Sequence, residues 1–353
     1  GHYDRLHLHT LRQLSHLPGQ RLPRRHGPWV AKDDVGDYLD HYAARFVPRL
    51  RGATPVSRIT PDTAGWRLTV PDGDVLARTV VVATGMNRRP HSPALPGAGA
   101  FTGATLHSSA YRTGRDHTGQ RVLVVGTGNS GAEIAADLAE HGVAVTVAVR
   151  TPPTVLPRRV AGVPLQVLGA LVERLPNTVA DRIVATLCRV VTPDLTRRGL
   201  PRPRRGAISH AREDNVTITI DVGFLAGVRR GAITVTDAVT QLRADAAVTA
   251  SGRVVPADTI IWATGFRTGL ADLLDTPATV LDARGRPRGP RPLPGLWFHG
   301  YVNEPGGNLR HFRRRARPLA HVVLRELVSR PAPAPHQPDG VSAAPPGSSP
   351  DAA

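Results

Sequence analysis

Apolar positions along the chain fall into two periodicities. In "AKDDVGDYLDHYAARF" (31–46), Val35, Tyr38, Leu39, Tyr42, Ala43 and Phe46 recur at i, i+3, i+4 and i+7. That spacing predicts an amphipathic helix, with Asp33 or Asp34 as its N-cap. In "GWRLTVPDGDVLARTVVVATG" (65–85) the pattern changes. Trp66–Val70 and Asp74–Ala77 read as strands around the turn "PDG", and Thr79–Ala83 reads as a continuous buried strand ended by Gly85. "VLVVG" (122–126) predicts a second buried strand, followed by a helix over Ser130–His141 and a strand over Ala144–Val149. Residues 163–192 read as helical and 215–250 as strand-rich. "GLWFHGYV" predicts a short strand and "RPLAHVVLRELV" (317–328) a helix. Residues 1–28 are irregular and rich in His, Arg and Pro. Residues 331–353 are rich in Pro, Ala and Ser with almost no large apolar side chains, which predicts disorder.

One phrase occurs twice. "ARTVVVATG" (77–85) and "ADTIIWATG" (257–265) share Ala, Thr, a β-branched pair and the closing Ala-Thr-Gly. Each follows a hairpin, the second turning at "SGR" (251–253). The recurrence predicts two nucleotide-binding units of similar build.

Between the copies lies "RVLVVGTGNSGAEIAADLAEHGVAVTVAVR" (121–150), with Gly126-x-Gly128-x-x-Gly131 between strand and helix. Strand, glycines, helix and second strand in order within 30 residues form a dinucleotide-binding fingerprint. Gly126 permits the tight turn, Gly128 lets a pyrophosphate approach the backbone, and Gly131 lets helix and strand pack closely. The helix start at Asn129 and Ser130 supplies N–H groups and partial positive charge for the phosphates. An NAD site usually ends the second strand in an acid that holds the ribose hydroxyls. Here Arg150 stands at that point and suits a 2′-phosphate, which predicts NADPH.

The formal charge of +17 first suggests an acidic partner, but of 45 basic residues only Lys32 is lysine and 44 are arginine. Ala, Gly, Pro and Val are abundant too, so the charge reflects biased composition. "HFRRRAR" (311–317) lacks interleaved aromatics beyond Phe312, and no nucleic-acid-binding signature is present. A solvated basic surface and no nucleic-acid partner are expected. The single cysteine, Cys188, excludes an intramolecular disulfide framework, a redox Cys-X-X-Cys pair and a cysteine-based zinc site. His7 and His9 form a His-x-His pair without acidic or Cys neighbours in sequence, so no metal site is expected. No run of about 18 apolar residues and no signal peptide are seen, giving an expectation of a cytoplasmic protein without a membrane partner.

The sequence resembles the flavin-containing (class B) monooxygenases. "FTGATLHSSAY" fits Phe101-x-Gly103-x-x-x-His107-x-x-x-Tyr111, the pattern that identifies that family, a few residues before the fingerprint. "YDRLHLHT" (3–10), "VVATGMN" (81–87), "HSSAYRTG" (107–114), "VLVVGTGNSGAE" (122–133), "VLPRR" (155–159) and "TIDVG" (219–223) are most similar to the plant YUCCA branch and its bacterial relatives. "IIWATGF" (260–266) resembles the family's hinge motif. The resemblance runs from residue 3 to about 328.

It implies an α/β flavoprotein with two dinucleotide-binding domains, a Rossmann-like NADPH domain (116–265) being inserted in an FAD domain (1–115 and 266–330), followed by the tail at 331–353. Thr84–Gly85 and Thr264–Gly265 are expected where backbone meets dinucleotide. Family members open with a further Gly-x-Gly-x-x-Gly unit for the ADP half of FAD. The only methionine is Met86 and the chain opens at "GHYDRLHLHT", so that unit of about 30 residues is expected to be missing. The implied chemistry is NADPH reducing FAD, and reduced flavin passing one oxygen atom of O2 to a small organic substrate. The YUCCA likeness suggests an α-keto acid such as indole-3-pyruvate, oxidatively decarboxylated. His9 lies near an active-site position of the family and is the one catalytic candidate. His107 and Tyr111 are as readily structural as chemical. A disulfide reductase shares the fold but needs a cysteine pair. An N-hydroxylase, a Baeyer–Villiger enzyme and a truncated, inactive NADPH-binding relative stay open.

Overall fold

The computed structural model describes residues 2–329 apart from Pro48, Asn215 and Pro305. The expected disordered tail at 331–353 lies outside the described residues. The first helix, α1 (Lys32–Phe46), runs where the periodicity places it, but its N-cap is Ala31 and no side chain caps it. Asp33 and Asp34 instead occupy the first turn, where negative charge suits the helix dipole. Tyr38 carries the buried face of α1, while Leu39 and Phe46 remain exposed.

Strands β1 (Arg58–Asp62), β2 (Gly65–Val70) and β3 (Gly73–Ala77) form an antiparallel meander, followed by β4 (Val80–Val82). The continuous burial expected of β4 is not observed. Val80 and Val82 are buried but Val81 is exposed, because successive residues point to opposite faces and among the described residues one face is packed. β5 (Ala104–His107) and β6 (Arg121–Val125) follow. Then come α2 (Asn129–Glu140), β7 (Ala144–Val149) and β8 (Val155–Pro157). Helices α3 (Leu165–Val172), α4 (Asn177–Val191) and α5 (Ala207–Asp214) lead to β9 (Thr219–Asp221), α6 (Phe224–Arg230) and β10 (Ile233–Asp237). A second meander, β11 (Val239–Leu242), β12 (Ala246–Thr249) and β13 (Val254–Pro256), precedes β14 (Thr259–Trp262). β15 (Leu296–Phe298) and α7 (Asn308–Ser329) complete the described chain. The last helix begins well before the expected Arg317, and Pro318 sits within it.

The main sheet has five parallel strands in the order β10-β7-β6-β14-β5. Its strands are Val- and Ile-rich because both faces are covered. Val122 and Val124 of β6 pack toward Ile134 and Leu138 of α2, while Leu123 joins Ile260 and Trp262 on the opposite face. The two copies of the Ala-Thr-Gly phrase occupy equivalent places in two sheets. β14 lies inside the five-stranded sheet after one meander. β4 pairs in parallel with β15 after the other. β5, within residues 1–115 by the sequence reading, is the edge strand of the five-stranded sheet.

Glu326 locks α7 onto this second sheet. Its buried carboxylate accepts from Arg291 (2.7 Å), the Gly295 N–H (2.7 Å) and the Trp297 indole N–H (2.8 Å). Burial alone would raise its pKa, but these donors hold it below its ordinary 4.5. Glu326→Ala should cost about 3 kcal/mol in denaturant unfolding, since it leaves the indole and a backbone N–H without acceptors. Because the folded pKa is depressed, the stabilisation should be complete above the ordinary value and fade as pH falls through the folded one. A wild-type minus variant stability difference that stays constant down to pH 3 would contradict this.

Candidate functional site

The three fingerprint glycines have three different surroundings. Gly126 has φ +109°, and a Cβ there would lie 2.5 Å from the Ala263 carbonyl oxygen, so only glycine makes the turn beside β14. A Cβ on Gly131 would lie 2.1 Å from the Gly126 carbonyl oxygen, which sets how closely α2 approaches β6. A Cβ on Gly128 would meet nothing within 4 Å. Gly128 is the exposed N-cap of α2 and no side chain caps that end, so the cap leaves the first-turn N–H groups without a side-chain acceptor. Asn129 is committed elsewhere. Its side chain accepts from Ile220 N–H (2.7 Å) and donates toward Thr217 (3.3 Å), tying the start of α2 to β9. The Ser130 hydroxyl lies beside the Tyr3 phenol. Arg150 is exposed at the end of β7, has no hydrogen-bond or ion-pair partner among the described residues, and its charge is felt by His91.

The buried face of α2 carries two acids, and the beginning of the chain is wired to both. Glu133 is buried and accepts a hydrogen bond from the Tyr3 hydroxyl; His9 Nε2 lies 3.1 Å from its other oxygen. Burial raises the Glu133 pKa. Burial and the nearby Arg158 charge lower His9 to about 4, so His9 is neutral and its Nε2–H donates to Glu133. His9 Nδ1 is thereby left as an acceptor, buried and without a partner. One turn along, Asp137 accepts from the Tyr111 hydroxyl (2.6 Å), the Gly114 N–H (2.7 Å) and Arg5 (3.2 Å). Sequence reasoning missed Glu133 and Asp137. Their signal was present in "GAEIAADLAE", two acids four apart on the apolar stripe of the helix.

The motif at 101–111 performs structural work. A Cβ on Gly103 would lie 2.5 Å from the Asp258 carbonyl and 2.6 Å from the Phe101 ring, and Phe101 packs against the cluster around Trp262. His107 accepts from the Ser109 N–H at Nδ1 (3.1 Å), leaving Nε2–H to donate to the Gly265 carbonyl (2.9 Å). Its ring stands edge-on to Phe266 at 4.8 Å. Tyr111, 1% exposed, stacks on His117 and meets Tyr3 edge-on. Both Ala-Thr-Gly loops share one geometry. Gly85 (φ +72°) and Gly265 (φ +81°) each have open space where a Cβ would point. Both threonine hydroxyls have partners, Thr84 the Tyr301 hydroxyl (2.9 Å) and Thr264 the His91 carbonyl, to which it donates. A cavity of about 280 Å³ beside Cys188 and Val184 on α4 is lined by none of the expected site residues. Among the described residues no cluster of three potential metal ligands exists, and no helix is long and apolar enough to cross a membrane.

Residues 20–184 match the family described as pyridine nucleotide-disulphide oxidoreductase. Within residues 1–353 the single cysteine, Cys188, leaves no redox cysteine pair. The indole-3-pyruvate monooxygenase YUCCA1 of Oryza sativa subsp. japonica is 34% identical over 301 residues, covering 84% of this chain and 73% of the relative. The probable indole-3-pyruvate monooxygenase YUCCA4 of Arabidopsis thaliana is 32% identical, covering 89% of this chain and 75% of the relative. This chain belongs to the class B flavin monooxygenase family. The monooxygenase also has the fold of a flavin-containing monooxygenase from Stenotrophomonas maltophilia (TM-score 0.65, 23% identity, 91% of this chain and 86% of that one). A cyclohexanone monooxygenase in its open form gives a TM-score of 0.63 at 17% identity, over 92% of this chain and 80% of that one. The family is oxidoreductase in chemistry and works with FAD and NADPH.

Two sets of variants separate structure from binding in this monooxygenase. Gly131→Ala should lose about 1–3 kcal/mol of stability through its collision with the Gly126 carbonyl. Gly128→Val should melt like wild type yet lose NADPH binding, read by calorimetric titration. Tyr111→Phe should cost about 1–2 kcal/mol, the hydrogen bond to buried Asp137, with NADPH affinity unchanged. A fall in coenzyme affinity without a fall in stability would give Tyr111 a chemical role.

Proposed function

We propose that this chain catalyses NADPH- and FAD-dependent insertion of one oxygen atom of O2 into a small α-keto acid, with indole-3-pyruvate as the substrate. The observation that carries the reading is the uncapped, open N-terminus of α2 at Gly128, in a chain 34% identical to an indole-3-pyruvate monooxygenase. The balanced reaction is indole-3-pyruvate + NADPH + H⁺ + O2 giving indole-3-acetate, CO2, H2O and NADP⁺.

NADPH fits the residues present. The first-turn N–H groups of α2 receive its pyrophosphate across Gly128, and Arg150 receives the 2′-phosphate. For FAD, Gly85 offers close backbone approach at the carboxyl end of β4, where ligands of open α/β sheets bind. Bound FAD supplies the electron transfer from NADPH and the activation of O2. The chain's own part is to bind, orient and exclude water. Glu133 fixes the His9 tautomer, so that Nδ1 presents a lone pair in a buried site and can hold a ligand N–H or O–H. Tyr3 and Tyr111, buried and edge-on to each other, cover Glu133 and Asp137 beside His9. Residues 116–265 act as the coenzyme module, to whose sheet β5 adds an edge strand, with the rest of 1–115 and 266–330 as the flavin module.

The direct test is an absorption spectrum of the full chain before and after adding FAD, then O2 consumption with NADPH and indole-3-pyruvate. The expected result is retained flavin bands and equimolar indole-3-acetate and CO2. Flavin-loaded protein that consumes O2 without forming indole-3-acetate would remove the substrate assignment. A colourless protein that still binds NADPH would support an inactive coenzyme-binding relative. Arg150→Ala should lower the NADPH-over-NADH preference about tenfold to a hundredfold, the loss of a charge-assisted contact. An unchanged coenzyme ratio would remove Arg150 from the site.

A further inference from the structure

Arg158 follows β8 and is half-buried beside His9 and Glu133. Its guanidinium stacks on the Trp29 ring at 5.1 Å, with Arg159 also over that ring at 4.6 Å. The Arg158 Nε–H is buried and has no acceptor, and no ion pair or side-chain hydrogen bond engages the rest of its guanidinium among the described residues. Other partly buried arginines differ. Arg5 reaches Asp137 and Glu140, Arg310 reaches Glu173, and Arg212 reaches the carbonyls of Glu173 and Leu175 and the side chain of Asn177. Two orphaned polar atoms thus belong to neighbouring side chains, a donor on Arg158 and an acceptor on His9. Buried polar groups left unpaired in a folded chain call for an absent partner.

We propose that Arg158, braced on Trp29, is the docking group for the carboxylate of an organic-acid substrate. A guanidinium presents a planar fork that matches a carboxylate bidentately, and stacking on an aromatic face fixes its plane beforehand. Buried Glu133 contributes negative charge to the same cluster. It disfavours a polyanion such as a pyrophosphate more than a monoanion. The coenzyme's arginine is a different one, since the Arg150 charge acts on His91 together with Arg267, and that of Arg158 acts on His9. This inference rests on the function proposed above only for the choice of acid.

The test is calorimetric titration of the full chain, without turnover, with four probes: phenylpyruvate, its uncharged counterpart benzyl methyl ketone, inorganic phosphate and NADPH. Arg158→Met should weaken phenylpyruvate binding tenfold or more and leave the ketone and NADPH unchanged. Arg158→Lys should recover part of the loss, and thermal melting of both variants checks that they fold. Three results would overturn the proposal. They are phenylpyruvate that fails to bind wild type or binds equally to Arg158→Met, equal losses for acid and ketone, and a loss confined to NADPH or phosphate. Intact, Arg158-dependent acid binding in a protein that forms no oxygenated product would instead refute the proposed activity and leave the docking site standing.

Discussion

Two carboxylates buried on one helix hold this molecule in its working arrangement. Glu133 and Asp137 lie four residues apart on α2 and face inward, where an unpaired carboxylate is costly. The beginning of the chain satisfies them. Tyr3 and His9 donate to Glu133, and Arg5 donates to Asp137 together with Tyr111 and the Gly114 N–H. The helix that starts at Gly128 is therefore also the helix that docks the irregular opening segment. The exposed helix start at Gly128 and the half-buried His9 are thus tied to one and the same helix.

That arrangement explains why the 101–111 motif contains a histidine and a tyrosine without visible catalytic geometry. Each ends on a structural partner, His107 on the Gly265 carbonyl and Tyr111 on Asp137. The strand that ends at His107, β5, is an edge of the five-stranded sheet. The motif pins the loop after β14 through the His107 contact with the Gly265 carbonyl. The family's flavin carries the redox chemistry, so the protein's task is geometry and exclusion of water. Its buried polar groups are accordingly arranged to fix tautomers and orientations.

Much of the architecture was legible in the residues. The strand, glycines, helix and strand of 121–150 appear as read, and β7 has the expected bounds, Ala144–Val149. The duplicated phrase does mark two equivalent strands, each after an antiparallel meander. Less legible were helix ends. Asp33 and Asp34 looked like caps but lie inside the first turn, and the last helix was read from Arg317 but begins at Asn308. Local chemistry favours those positions without dictating them, and tertiary packing of the flanking segments decides.

By itself, the sequence determined the elements whose cause is local. Apolar periodicity set the strands and helices, and the glycine spacing set a turn that any side chain would obstruct. Arg150 at the end of a known strand set the expected coenzyme. Only the tertiary structure decided which distant groups share a site. Nothing along the chain joins Tyr3 and His9 to Glu133, 130 and 124 residues away, or sets Trp29 beneath Arg158. Those pairings follow from burial, which forces each polar group to find a partner in space, and leaves visible the few that have none.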